Sequence, residues 1–313
     1  MGNRWAKPIN IGPPINTRNW ETQPSFSSDG KTLYFVRGTV TREGIKNQDI
    51  YYSQLSKDGY WGDPVSISSK INTPDREESV YIHPDNQTLY FSSNGHIGMG
   101  GLDIYMCKKQ PNGEWGNPIN LGYPINTNND ENSLLVSPNG EIAYFASNRQ
   151  GGKGGLDLYQ FDLYKEARPE RLTYVIGKVF DARSKKPLGA TFELIDLETA
   201  QTVIESESNI GNGEFLVSLT ANKNYALNVS KNGYLFYSEN FSLKEIADLS
   251  KPFQLDIPLQ PIDIGSPVVL NNIFFETNMF NLKAESNAEL QKLVDFLTLN
   301  KFDLMSLSCL FLS

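Results

Sequence analysis

The chain has 313 residues, with 28 Lys plus Arg against 36 Asp plus Glu and a net charge of −8. That balance removes the electrostatic case for nucleic acid or an anionic membrane surface as a partner. Two cysteines, Cys107 and Cys309, and two histidines, His83 and His96, supply neither a disulfide framework nor metal ligands at recognisable spacing, so no cofactor is expected.

The first segment, "MGNRWAKPINIG", lacks the apolar stretch of a signal peptide, and no later run is long and apolar enough to span a bilayer. The expectation is a chain with no export signal and no transmembrane segment. Residues 1–23 read as the lead-in strand of a preceding repeat unit, marked by Trp5.

Residues 24–173 repeat. "SFSSDGKTLYFVR", "VYIHPDNQTLYFSSN" and "LLVSPNGEIAYFASN" place Asp29, Asp85 and Asn139 at turns 56 and 54 residues apart. Asp49, Asp103 and Asp157 follow at spacings of 54. Trp61 and Trp115 open Trp-Gly-x-Pro elements related to that of Trp5, and Ile-Asn-Thr recurs at 15–17, 71–73 and 125–127. Each unit reads as four short antiparallel strands with a tight Asp-Gly-type turn, which is the pattern of a β-propeller blade. The recurring aspartates, asparagine and tryptophans are therefore expected to be structural. Asp49, Asp103 and Asp157 would accept backbone amides of the turn before their strand.

"SNRQGGKGGLDLY", from Ser147 to Tyr159, has the glycines and cations of a phosphate loop, but it leads into a strand where a phosphate loop opens a helix. It aligns with "SSNGHIGMGGLDIY" 54 residues earlier, where Gly95 and Met99 stand opposite Arg149 and Lys153, so those cations have no counterparts. His83 reads as a substitute for a turn serine and His96 as a solvated loop residue. Asn126, Asn128 and Asp130 alternate as calcium ligands can, but without the turn glycine or distant glutamate, so a polar loop is expected. Tyr51, Tyr52, Tyr90, Tyr105, Tyr144 and Tyr159 read as packing residues, with an aromatic glycan platform as the alternative. No G-x-S-x-G or H-E-x-x-H constellation is present, and the chain is expected not to be an enzyme.

Residues 174–260 read as a small β-sandwich of some seven strands. Residues 261–313 read as a linker followed by a helix. "DIPLQPIDIGSPVVLNN" is the linker. Leu290, Leu293, Val294 and Leu297 share one helical face, and Ser286 and Glu289 have capping-box spacing.

The Ser-Pro-Asp-Gly-x-x-Leu-Tyr-Phe and Gly-Gly-x-Asp-Ile-Tyr elements resemble TolB-type propeller repeats of bacterial envelope proteins. Gly177, Val179, Asp181, Pro187, Gly189, Ala190, Gly213, Phe215, Tyr225 and the pair Gly233-Tyr234 resemble a carboxypeptidase regulatory-like, transthyretin-like module, an accessory without peptidase chemistry. "FFETNMFNLKAES" resembles the opening strand and first helix of an OmpA C-terminal domain. The order of modules is similar to that of OmpA-family envelope lipoproteins of the PorE-like, type IX secretion-associated kind. The resemblance implies a mostly β chain: a partial β-propeller of three four-stranded blades, a transthyretin-like β-sandwich, and a truncated α/β OmpA-like segment. It implies a periplasmic location at the inner face of the outer membrane, with outer-membrane or secretion components as partners. The Thr-Asp and Asn-x-x-Leu-Ser-x-x-Arg-Ala elements that hold peptidoglycan in that family have no match here, since the sequence ends "KFDLMSLSCLFLS". A truncated gene product or fragment, without peptidoglycan-binding residues, is the expectation. A glycan- or peptidoglycan-fragment-binding module is the alternative function.

Overall fold

The computed structural model describes residues 7–137, 139–244, 251–263, 267–277 and 279–300. Trp5 and the final segment from 301, including Cys309, lie outside the described residues. The fold is mostly β, built from several antiparallel sheets. Two compact units divide it. The first is Met1–Val175 with Val217–Ala221 and Asp248–Phe253, and the second comprises the remaining segments.

The first unit holds three sheets in chain order. The first contains β1 (Trp20–Phe26), β2 (Thr32–Thr41), β3 (Gly44–Gln54) and β4 (Val65–Ser66), hydrogen-bonded in that order. The second repeats this with β5 (Glu77–Ile82), β6 (Thr88–Ser93), β7 (Asp103–Lys108) and β8 (Ile119–Asn120). The third has β9 (Glu131–Val136), β10 (Ile142–Ser147) and β11 (Asp157–Asp162), with β11 at one edge and no fourth strand among the described residues. The expectation of four strands per unit fails here, and the sequence holds the reason. No Trp-Gly-x-Pro element follows β11 to return the chain alongside it. The chain instead passes through a short 3₁₀ turn, Lys165–Ala167.

Alternation of side chains along each strand gives every sheet two apolar faces, and neighbouring sheets bury them against each other. Between the first two sheets lie Tyr34, Val36, Ile50, Leu89, Phe91 and Tyr105. Between the second and third lie Tyr90, Ile104, Met106, Ala143 and Phe145. The first strands adjoin one another. Each carries a bulge at a residue with positive φ, namely Gln23 (51°), Ser79 (55°) and Ser133 (56°). The Gln23 amide accepts from the Ser79 backbone N–H at 2.6 Å, and the Ser79 and Ser133 hydroxyls meet at 3.5 Å.

In the second unit, β13 (Thr191–Asp196) lies between β14 (Gln201–Glu207) and β16 (Asn224–Ser230), and β17 (Tyr237–Ser242) pairs with β16. A further sheet is made of β12 (Leu172–Asp181), β15 (Glu214–Thr220), β18 (Phe253–Gln254) and β19 (Ile257–Leu259), of which residues 172–175, 217–220 and 253 fall in the first unit. Phe192 and Phe215 meet across the two sheets at 4.9 Å between ring centroids. Among the described residues eight strands form where some seven were expected. Part of the segment read as a linker, Ile257–Leu259, is a strand that pairs parallel with β12 and is buried at both ends.

The helix α1 (Ser286–Asn300) forms, but not as a capping box with an apolar stripe. The Ser286 hydroxyl bonds both the N–H (2.8 Å) and the C=O (3.0 Å) of Phe274, and Glu289 is buried and accepts from the Asn272 side chain. Val294 is 53% exposed, and Leu290, Leu293 and Leu297 are half-buried. The helix is held by Phe296 against Phe236 (5.7 Å) and by Lys292 paired with Glu193. Among the described residues, the stretch read as an opening strand before it makes an isolated bridge, Phe275 to Leu282.

Candidate functional site

The recurring polar residues are read from the sequence as structural. The three turns after the first strands share one geometry. Asp29 accepts from the Lys31 N–H at 3.0 Å and from the Ser27 hydroxyl. Asn139 accepts from the Glu141 N–H (3.2 Å) and the Ser137 hydroxyl (2.6 Å). Asp85 accepts from the N–H groups of Gln87 and Thr88, both at 2.8 Å, from the Thr88 hydroxyl, and from the Glu170 N–H at 3.0 Å. His83 holds the place of Ser27 and Ser137; it is fully buried, with Nδ1 3.4 Å from Asp85 Oδ2. Burial alone would raise the Asp85 carboxyl, but its bonds from His83, Gln87 and Thr88 bring it below the ordinary range.

Asp103 Oδ2 accepts from the N–H groups of Met99 (2.6 Å) and Gly100 (3.2 Å), and Asp157 Oδ2 accepts from Lys153 (2.7 Å) and Gly154 (3.2 Å). Each carboxylate ties down the glycine-rich loop before its strand. A side chain on Gly98 or Gly152 would collide with the carboxylate, at 1.9 and 2.1 Å respectively. Burial nevertheless raises the Asp103 carboxyl against the two amides. Asp49 differs. Its strand is reached by the hairpin extension Thr39–Lys46 rather than a glycine loop, and burial raises its carboxyl. Asn126 and Asp130, the alternating ligand pattern, are committed to main-chain N–H groups: Asn126 Oδ1 to Ile104 (2.8 Å) and Asp130 Oδ1 to Leu102 (2.9 Å).

The Ile-Asn-Thr marker proves to be the latch between sheets. Ile15, Ile71 and Ile125 are buried. The Asn72 side chain brackets the N–H and C=O of Ile50, both at 2.9 Å, and Asn126 brackets Ile104 at 2.8 and 2.9 Å. Thr17, Thr73 and Thr127 each donate backbone N–H and hydroxyl to one carboxylate, from Glu21, Glu77 and Glu131. These glutamates escaped the sequence reading, although their spacings of 56 and 54 repeat those of the turn residues.

A third station sits above each latch. Arg37 donates to the carbonyls of Ile15 (2.8 Å) and Pro14, pairs with Glu21, and lies over Phe35 (5.3 Å) and Tyr51 (5.5 Å). Arg149 donates to the carbonyls of Ile125 and Pro124, pairs with Glu131 at 3.2 Å, and lies over Phe145 (4.8 Å) and Tyr159 (4.9 Å). In the second sheet His96 takes the place, with Nε2 donating to the Ile71 carbonyl at 2.8 Å and its ring against Phe91 (5.8 Å) and Tyr105 (5.2 Å). His96 is thus a bonded, half-buried group and not a solvated one. Arg149 does have counterparts; Arg37 reaches the same station from strand β2 and His96 from another position along the loop, which a linear alignment hides.

One open groove of about 560 Å³ lies between the first and second sheets, lined by Tyr34, Tyr52, Gln54, Lys70, Lys109 and Trp115 among others. Trp115 meets Tyr34 edge-on at 6.4 Å, Tyr34 lies 6.1 Å from Tyr52, and Lys109 Nζ stands 5.4 Å over the Trp115 ring. Burial, with the nearby Tyr52 and Asp29, pushes the Tyr34 hydroxyl up to about 12, and burial lowers the Lys109 ammonium. Trp61, the counterpart of Trp115, packs on Phe26 at 5.9 Å. Of the six strand tyrosines, Tyr90 and Tyr105 are buried, Tyr51, Tyr52 and Tyr159 are half-buried, and Tyr144 is 45% exposed.

No cluster of three or more acidic, His or Cys residues fit for a metal occurs among the described residues. No helix among them is long and apolar enough to cross a membrane.

No family model and no curated protein matches the chain. Among solved structures, a puromycin hydrolase S511A mutant complexed with PGG is similar at 12% identity and a TM-score of 0.33. The likeness covers 71% of this chain but 27% of that one. The periplasmic gluconolactonase of Pseudomonas aeruginosa is similar at 14% identity and a TM-score of 0.28, over 77% of this chain and 71% of that one. Fructan 1-exohydrolase IIa from Cichorium intybus is similar at 11% identity and a TM-score of 0.31, over 74% of this chain and 43% of that one. Nothing about function rests on likenesses this distant.

Proposed function

We propose that the chain is a non-enzymatic protein-interaction scaffold of the cell envelope. In this reading its first unit is a set of β-propeller blades, its second a carboxypeptidase regulatory-like sandwich, and α1 the start of an OmpA-like domain. One observation carries the non-enzymatic part. The acidic and amide side chains that recur from sheet to sheet bind the chain's own main chain and hydroxyls, at Asp85, Asp103, Asn126, Glu131 and Asp157. Groups so engaged order loops and inter-sheet latches and are not poised for proton transfer to a substrate. The envelope assignment, with outer-membrane or secretion-system partners, comes from the resemblance of the repeats and the module order. The full chain immobilised against envelope extracts should recover a reproducible set of outer-membrane or secretion components. Recovery of none above a control matrix would contradict it.

The groove favours a second reading, binding of a glycan or peptidoglycan fragment. Tyr34, Tyr52 and Trp115 offer ring surface, and Gln54, Lys70 and Lys109 offer donors, which suits the apolar faces and hydroxyls of a sugar. Soluble peptidoglycan fragments should then bind saturably to the wild type and more weakly to Tyr52→Ala. Absence of binding to the wild type excludes this reading and leaves the scaffold untouched.

A further inference from the structure

The three sheets of the first unit are built alike, so what covers a position in one sheet states what the same position needs in another. Ile50 and Ile104 are each 0% exposed, sealed by the following sheet, whereas their counterpart Leu158 is 82% exposed. Tyr34 (6%) and Tyr90 (0%) are buried, whereas Tyr144 is 45% exposed. The third sheet also has an outer edge on β11 that no described strand occupies. At the other end of the unit lies the complementary half. Pro8-Ile9-Asn10-Ile11 matches Pro64-Val65-Ser66-Ile67 and Pro118-Ile119-Asn120-Leu121, the segments that form β4 and β8. Yet residues 7–12 form no strand, and Ile9 is 92% and Ile11 40% exposed, against 8% for Ile67 and 3% for Leu121. Asn16, the counterpart of the two bracketing asparagines, is exposed, and its side-chain N–H₂ reaches Asn10 of its own segment.

We propose that these halves complete each other between two copies of this chain. Residues 8–17 of one copy supply the missing fourth strand of the other's third sheet. Val65 pairs with Tyr52 and Ile119 with Met106, so Ile9 pairs with Gln160. The Ile67 and Leu121 N–H groups bond the carbonyls of Ile50 and Ile104, so Ile11 bonds that of Leu158, and Asn16 brackets the same residue. The arriving segment covers Leu158, which is 82% exposed without it. Such a contact is heterologous, and two copies of this chain make it reciprocally. The proposal needs only the sheet-on-sheet contacts described above and stands or falls independently of the envelope and glycan readings.

Sedimentation of the full chain at micromolar concentration should show a species of twice 35.1 kDa. Ile9→Asp and Leu158→Asp, both at exposed positions, should each return it to 35.1 kDa with an unchanged circular dichroism spectrum. In a Cys309→Ser background, Ile9→Cys mixed with Gln160→Cys should give a disulfide-linked pair under oxidation, and neither variant alone should. A single-chain mass for the wild type, an open ladder of larger species, a pair that survives both aspartates, or cross-linking of either cysteine variant with itself would each overturn it.

Discussion

The second and third sheets show what one repeat becomes in two settings. Each has a buried glutamate bound by a Thr N–H and hydroxyl, Glu77 and Glu131, both 0% exposed. Over Glu131 stands Arg149, an ion pair at 3.2 Å. Over the corresponding latch stands His96, and burial raises the Glu77 carboxyl against the hydrogen bonds of Thr73 and Ser93. The central third-strand residue is sealed in one sheet and open in the other, as Ile104 and Leu158. The same scaffold geometry thus tolerates a guanidinium or an imidazole at the latch, provided that the carbonyl of the Ile-Asn-Thr isoleucine is met.

The comparison can be broken most sharply at that third-strand position. Ile104→Ala should cost about 3–4 kcal/mol, as a buried large-to-small change, while Leu158→Ala in the single-chain form stays within about 0.5 kcal/mol. Urea unfolding of the two variants checks this. Next, Glu131→Ala should cost about 3 kcal/mol by leaving Arg149 without its buried partner, and His96→Ala should cost about 1–2 kcal/mol, both read from the same unfolding curves. Asn126→Ala should cost about 2 kcal/mol, because the N–H and C=O of Ile104 lose their side-chain partners, and Asn16→Ala should be near neutral in the single chain.

The smallest effect is in pH, and two carboxyls of the second sheet give it opposite signs. Glu77 is raised in the fold, so the stability it contributes is present below its unfolded value of about 4.3 and is lost as pH rises through its folded value. Asp85 is lowered, so its contribution is present above about 3.9 and is lost as pH falls through its folded value. Unfolding midpoints of Glu77→Gln and Asp85→Asn, each taken relative to wild type across acidic pH, should therefore diverge in opposite directions. Parallel slopes would contradict the assignment.

Much of this was legible in the residues. The loop aspartates Asp103 and Asp157 declare themselves by a fixed interval before a third-strand tyrosine, whereas the missing strand after β11 was not foreseen, although no Trp-Gly-x-Pro element follows it. Glu21, Glu77 and Glu131 share the period but sit beside other polar residues, so nothing local marks them. The occupants Arg37, His96 and Arg149 could not be matched from the sequence at all. They converge in space from different places along the chain, and Arg37 comes from the middle of a strand rather than a loop. The strand at Ile257–Leu259 was hidden by Pro258 at its centre and Pro261 just after it, which read as linker although a parallel edge strand tolerates a proline. In α1, periodicity predicted an apolar seam, but the buried positions are Ser286 and Glu289, because contacts to Phe274 and Asn272 orient the helix start.

Amide exchange at Ile50, Ile104 and Leu158 tests the central claim, that one inter-sheet latch recurs and is unfilled at the third sheet. In the single-chain Ile9→Asp variant, the Ile50 and Ile104 amides, each bonded to an asparagine side chain, should exchange only through opening of the sheets, and Leu158 should exchange orders of magnitude faster. Equal protection at all three positions, or fast exchange at Ile50 and Ile104, would contradict it.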